Sequence, residues 1–491
     1  MKYISTRDRN KTYSAAEAVV KGISDDGGLI VPSSFPIIDK KLLDELCAMD
    51  YPERAAKVLS LYMEEFSYEE LCDYTRKAYS RFDGDPCPLV KVEDGLFVLE
   101  LWHGPTYAFK DMALTVLPYL MTASKKKIGD NSKTLILVAT SGDTGKAALE
   151  GFKDVEGTEI IVFYPEKGVS AMQKLQMITQ QGSNVHVAGI KGNFDDAQTA
   201  VKAIFTDADV IAKLKAKGIE MSSANSINWG RLAPQIAYYV SAYCDLLTSG
   251  EIEEGQKINF AVPTGNFGNI LAGYYAYRMG IPVNRLIVAS NANNILTDFF
   301  RTGEYDVNRK FFKTMSPSMD ILVSSNLERL LFEVTGRDDA KMREIYGELK
   351  KTGVFRLDMS QLDLDVFEAG WADEDETTET IGNFFDLDDY VLDTHTAVAV
   401  SVYNDYASDT EDDTTAVIVS TASPYKFACD VFNAVSDRHE TDVDKAVKGL
   451  MRSTGAECPQ GILDLPRMEI RHRTVIERDG AKQAVFDFLS E

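Results

Sequence analysis

From about residue 130 onward, short runs of β-branched and aliphatic residues alternate with segments long enough to be helices. Residues 134–140, 160–164, 185–190, 258–262, 286–289 and 415–421 read as strands, because each is brief, apolar and bounded by turn residues. Residues 171–181, 197–215 and 270–279, and a stretch beginning near 146, read as helices between them. Leu232, Ile236, Val240, Tyr243 and Leu247 repeat at helical spacing. Such alternation leaves little choice of architecture. Short strands with helical crossovers predict parallel sheets wound on both faces, a doubly wound α/β fold. The first 90 residues differ. They carry helical patterns at 13–21, 41–51 and 71–79, a turn at Asp25-Asp26-Gly27-Gly28, a short strand at 29–31 and a break at Asp83-Gly84-Asp85-Pro86. This predicts a separate unit over 1–90 and a second over 91–491, with a smaller subdomain at about 130–250.

Three strand-to-helix turns are built from small and hydroxylic residues. They are Thr140-Ser141-Gly142-Asp143-Thr144-Gly145, Pro263-Thr264-Gly265-Asn266-Phe267-Gly268-Asn269 and Ser420-Thr421-Ala422-Ser423-Pro424. In doubly wound folds, ligands gather at the carboxyl ends of strands, where unpaired N–H groups at helix starts attract anions. Two glycine turns of this kind predict two anionic groups bound near one another. Neither is a nucleotide loop. Gly142 and Gly145 are too close for the Gly-x4-Gly-Lys-Ser/Thr pattern, and Ala147 stands where its hydroxyl is needed. Gly265 and Gly268 do not follow the dinucleotide fingerprint either.

A fourth segment, Trp102-His103-Gly104-Pro105-Thr106-Tyr107-Ala108-Phe109-Lys110-Asp111, sets a lysine among aromatic and small residues at a predicted helix start. An apolar surrounding disfavours the ammonium and lowers a lysine's pKa, as Schiff-base chemistry requires. Lysine for an aldehyde, a glycine turn for a phosphate and a hydroxyl for a ring nitrogen together suit pyridoxal phosphate.

Other classes are disfavoured. With 76 acidic and 52 basic residues, the net charge of −24 argues against nucleic-acid or anionic-membrane surfaces. No apolar run approaches the length of a membrane span, and the first residues carry no signal core. The six cysteines form no CxxC site and the five histidines are dispersed, so no metal is expected and a reduced, cytoplasmic protein is. The acidic stretches 373–393 and 405–415 read as a solvated loop-and-helix face and a loop.

The chain resembles the threonine synthase family, in its longer form with an N-terminal domain. The resemblance is carried by Tyr3-Ile4-Ser5-Thr6-Arg7, by Asp26-Gly27-Gly28-Leu29 with Pro32, by His103 to Asp111, by Thr140 to Gly145, by Asn225-Ser226-Ile227-Asn228 with Arg231, and by Pro263 to Gly268. It implies a fold type II, tryptophan-synthase-β-like pyridoxal-phosphate enzyme with sheets in two subdomains and a small α+β N-terminal domain. It further implies that Lys110 bonds the cofactor aldehyde and later shuttles protons. Gly265, Asn266, Phe267 and Asn269 would hold the cofactor phosphate, and Thr421 the pyridine nitrogen. Ser141, Asp143 and Thr144 would face the substrate carboxylate and the cofactor hydroxyl. Asn225, Ser226 and Arg231 would bind the substrate phosphate. The implied reaction converts O-phospho-L-homoserine and water to L-threonine and phosphate, in a monomer. A phospho-lyase releasing a 2-keto acid remains the alternative. The chain departs from the family's pattern at Ser423, where histidine is frequent, at Tyr425, at Thr394 and at Lys146, which is expected to point to solvent.

Overall fold

The computed structural model describes residues 1–490 apart from 141, 168 and 437. Two sheets dominate it. The larger has six strands in the spatial order Phe367–Trp371, Val283–Ser290, Ile258–Pro263, Ala416–Ser420, Leu96–Glu100 and Leu89–Glu93. Its strands run parallel except Leu89–Glu93, which pairs antiparallel at the edge. The smaller has five parallel strands in the order Thr474–Ile476, Val185–Ile190, Thr158–Pro165, Lys133–Ala139 and Ile219–Ser222. The fold type II doubly wound reading is thus observed. The strands are apolar without alternation because helices cover both faces: Ile258–Pro263 and Ala416–Ser420 are buried at every position. Each such Ile, Val or Phe contributes roughly 1.5–3 kcal/mol by leaving water.

The first residues build a small antiparallel sheet of Tyr3–Ser5 between Thr12–Tyr13 and Ile30–Pro32. Four helices accompany it, Ala15–Lys21, Lys40–Cys47, Tyr51–Tyr62 and Tyr68–Tyr79. Ser14 and Ser67 close capping boxes with Glu17 and Glu70, and Asp39 and Asp50 cap the other two. This layer packs on the long helix Trp229–Ser249, whose Trp229 ring lies 5.3 Å from Tyr3 and 5.4 Å from Tyr62.

Several boundaries differ from expectation for local reasons. The segment 41–51 is one helix end and the start of another, because Asp50 accepts from Glu53 N–H and begins a new helix. The segment 197–215 is likewise two helices, Phe194–Phe205 and Ala208–Ala216, because Asp207 caps the second. The acidic run after 405 is not a loop from its start: the helix Thr394–Thr410 continues through it and stops at Glu411, with φ 54°. The smaller sheet takes its edge strand from Thr474–Ile476 and a covering helix from Ala481–Phe488, far outside 130–250. Among the described residues, no helix is long and apolar enough to cross a membrane.

Candidate active site

In the larger sheet the chain passes from Ile258–Pro263 outward to Val283–Ser290 and Phe367–Trp371, then returns on the other side with Ala416–Ser420. The strand order therefore reverses between Ile258–Pro263 and Ala416–Ser420, and a crevice opens at their carboxyl ends. The turns 263–269 and 420–424 flank that crevice. The segment carrying Lys110 follows the neighbouring strand Leu96–Glu100, and Phe109 N–H donates to the Thr421 carbonyl at 2.8 Å. In the smaller sheet the order reverses beside Lys133–Ala139, where the turn 140–145 begins.

Lys110 is buried at the start of a one-turn helix, Asp111–Leu114. Its amine meets the Ser318 hydroxyl at 3.2 Å and an Asp143 oxygen at 3.6 Å, and lies 4.7 Å from the Phe109 ring centroid. Burial pushes the amine down to about 8; Asp143 opposes this, while the Arg231 and Lys426 cations add to it. The preceding loop is fixed by Asp111, which accepts from the Thr106 N–H and hydroxyl, both at 2.7 Å. Burial raises the Asp111 carboxyl to about 6 against those two bonds.

Asp143 lies between two lysines. Lys426, wholly enclosed, sits 2.9 Å from one oxygen and donates to the Thr106 carbonyl at 2.7 Å. Gln173 adds a bond to Asp143 at 3.0 Å. Gly142 makes room for that amide, since a Cβ there would fall 2.5 Å from it. Burial alone would raise the Asp143 carboxyl, but the Lys426 and Lys110 ammoniums win and hold it well below the usual range.

Two separate places suit anions. The helix Gly268–Arg278 starts at Phe267, whose φ of 62° turns the chain sharply, and no side chain caps its first N–H groups. Gly265 packs against the Ser318 carbonyl, which a Cβ would approach to 2.6 Å. Asn326 ties this turn to the loop before Trp229, donating to the carbonyls of Ser226 at 3.2 Å and Asn266 at 3.0 Å. The second place is Arg231. It is buried, its guanidinium donates to the Ala224 carbonyl at 2.9 Å, and it forms no ion pair among the described residues. Burial pushes it down to about 10, so it stays charged at neutral pH.

The structure thus brings together Lys110, Asp143, Arg231, Thr421, Gly265, Asn266 and Ser226. Asn269 lies behind the turn, its oxygen accepting from Tyr238 and Tyr239 at 2.6 and 2.8 Å while its Nδ2 has no partner. Thr144 is half-buried, and Asn225 is exposed with only its backbone bonded. Ser141 lies outside the described residues. Lys146 does not point to solvent: it bonds Gln180 and sits 3.4 Å from Glu150, because the helix Asp143–Phe152 turns it inward. Asp393 is not part of a solvated face either. It is buried and caps the helix Thr394–Thr410, accepting from His395 N–H at 2.9 Å. Sequence reasoning missed Lys426, Gln173, Ser318 and Asn326. Lys426 carried a usable signal, an aromatic residue on either side within Tyr425-Lys426-Phe427, the environment that marked Lys110.

A buried low-pKa lysine beside an uncapped glycine turn at a strand-order reversal defines a class, and residues 85–422 match the family model described as pyridoxal-phosphate dependent enzyme. Residues 2–79 match the model described as threonine synthase N terminus, and residues 396–472 that described as threonine synthase, C-terminal. The chain belongs to the threonine synthase family. It is 38% identical to threonine synthase of Schizosaccharomyces pombe, over 87% of each chain. It is 39% identical to human threonine synthase-like 1 over 93% of its own length, but spans only 64% of that relative's. A crystal structure of PLP-bound threonine synthase from Brucella melitensis superposes with a TM-score of 0.89 at 37% identity, covering 99% of both chains. The yeast enzyme's structure matches equally well, at 33% identity.

The residues present fit pyridoxal phosphate. The uncapped helix start offers N–H groups to a phosphate, and Lys110 is a buried amine close to its working range. When bound, the cofactor supplies an electron sink for charge developing beside the substrate amine.

Proposed function

We propose that this protein is a threonine synthase, a carbon–oxygen lyase converting O-phospho-L-homoserine and water to L-threonine and phosphate. The observation that carries the reading is Arg231, a buried guanidinium with no carboxylate partner among the described residues, beside an anion-binding turn that can serve the cofactor. Its planar fork matches phosphate oxygens. Asn225 and Ser226 are assigned with it to the substrate phosphate. Gly265, Asn266, Phe267 and Asn269 are assigned to the cofactor phosphate, and Thr421 to the ring nitrogen. Thr144 is assigned to the substrate carboxylate and the ionised Asp143 to the cofactor hydroxyl, which can donate to it, with Ser141 added on the family pattern alone.

Lys110 is the proton carrier in this reading. Its amine takes a proton first at Cα and then at Cβ, a reach that its four-carbon stem allows. The amine passes the first proton on before it takes the second. Phosphate leaves from Cγ, and one proton returns to Cγ. Water adds its hydroxyl at Cβ with its own proton going to the released phosphate, and a proton returns to Cα. The reading also divides the chain into an N-terminal unit over 1–90 and a catalytic unit over 91–491, and has it act as a cytoplasmic monomer.

The test is purified protein with pyridoxal phosphate and O-phosphohomoserine, wild type beside Lys110→Ala. Stoichiometric phosphate and threonine are expected, with turnover reduced at least about a thousandfold in the variant. Phosphate accompanied by 2-oxobutyrate and ammonia would instead establish the phospho-lyase.

A further inference from the structure

Ser318 lies in a one-turn helix, Pro317–Met319, and each of its polar groups serves a different part of the site. Its hydroxyl accepts from Lys110 Nζ at 3.2 Å and donates toward Asp143 Oδ2 at 3.5 Å. Its carbonyl is the atom against which Gly265 packs. Its N–H donates to His395 Nε2 at 3.1 Å. Because Nε2 accepts, the neutral ring carries its proton on Nδ1, which faces Asp393 Oδ1 at 2.9 Å. Asp393 is held in turn by the Thr396 hydroxyl. The segment around Ser318 is fastened separately. Asn291 donates to the Thr314 and Ser316 hydroxyls, both at 2.9 Å, and Thr314 donates to Asp320 at 2.7 Å.

We propose that Ser318 is a positioning residue for Lys110: its hydroxyl, anchored through its own backbone by the His395–Asp393 pair, holds the lysine amine in line while that amine is free to carry protons. The proposal rests on the reading of Lys110 as proton carrier. A free lysine stem samples many rotamers, and a fixed partner at its tip selects one. A hydroxyl suits this task better than a carboxylate. Asp143 can only accept, so it favours the ammonium. Ser318 can accept from the ammonium and turn its own proton toward Asp143, or donate to the neutral amine. It can therefore follow the amine through both protonation states without moving.

The test compares holoenzyme carrying Ser318→Ala or Ser318→Thr with wild type. Ser318→Ala is expected to keep the visible absorbance of lysine-bound cofactor and to lose about tenfold or more in kcat, with KM changed far less. The pH profile of kcat is expected to shift, because a partner of the Lys110 amine is gone. Ser318→Thr, which keeps the hydroxyl, is expected to restore most of the rate. A Ser318→Ala enzyme with wild-type kcat and pH profile overturns the proposal. If that variant does not fold, His395→Gln and His395→Leu decide. The first keeps an acceptor for the Ser318 N–H and the second removes it, so a lower kcat in the second supports the proposal and equal values overturn it. Lys110→Ala with undiminished turnover would overturn the reading of Lys110 itself, a result distinct from any failure at Ser318.

Discussion

Asp143 is one carboxylate shared by two lysines, and that arithmetic governs the interior of the site. Its closer partner is Lys426 at 2.9 Å, with Lys110 at 3.6 Å. Because Lys426 is the nearer, Lys110 feels the carboxylate only partly, and burial prevails over it. Asp143→Asn leaves two enclosed ammoniums without their counter-charge. We expect it to cost about 3–5 kcal/mol of stability, read from urea denaturation. A pH dependence follows from Lys110. Its folded value of about 8 lies below its ordinary 10.5. Below 8 the amine is charged in both states and the full cost of burying it is present. As pH rises from 8 to 10.5 the folded protein has already shed the proton, so folding is relieved of that cost. Lys110 should therefore contribute a gain on the order of 3 kcal/mol to cofactor-free protein across that range, read as the difference in pH dependence between wild type and Lys110→Met. Equal slopes in the two proteins would contradict this account.

At the scale of elements, the site depends on how closely two helices approach. Gly151, on the helix Asp143–Phe152, lies against the Leu114 carbonyl at the end of the turn that begins with Lys110; a Cβ there would sit 2.1 Å from that oxygen. Gly151→Ala must push the helices apart and with them Asp143 and Lys110. We expect a loss of about 1–3 kcal/mol in stability, together with lower kcat, from a residue that touches no reacting group. Local chemistry made much of this readable. The turns 140–145, 263–269 and 420–424 announce themselves through glycines and hydroxyls within a few positions. Lys110 has its aromatic and small neighbours beside it in the chain. Ser318 was illegible for the opposite reason: it stands 208 residues from Lys110, in a segment with no pattern of its own. Lys426 is 320 residues from the Thr106 carbonyl that holds it. Only the return of the strand Ala416–Ser420 to the middle of the larger sheet makes these neighbours, and local periodicity carries no information about strand order.

The whole molecule closes on itself. The strand Thr474–Ile476 completes the smaller sheet beside Val185–Ile190, and the helix Ala481–Phe488 buries Ala481, Ala484 and Val485 in that sheet's core. The contacts between Arg471 and His472 N–H groups and the Ile178 carbonyl, both 3.0 Å, guide the chain there. Removing residues 469–491 should cost on the order of 3 kcal/mol and speed amide exchange in Val185–Ile190, measured by mass spectrometry. Unchanged exchange in that strand would show that the edge is not needed.

That closure also sets an order of events during translation. The strands Lys133–Ala139, Thr158–Pro165 and Val185–Ile190 leave the ribosome well before their sheet's edge partner, which is not made until residues 474–476. Until then the nascent chain presents an apolar strand edge to whatever else is in the cell. A half-made copy is thus expected to be more adhesive than the finished fold, with its exposure to chaperones longest in the interval before residue 474 appears.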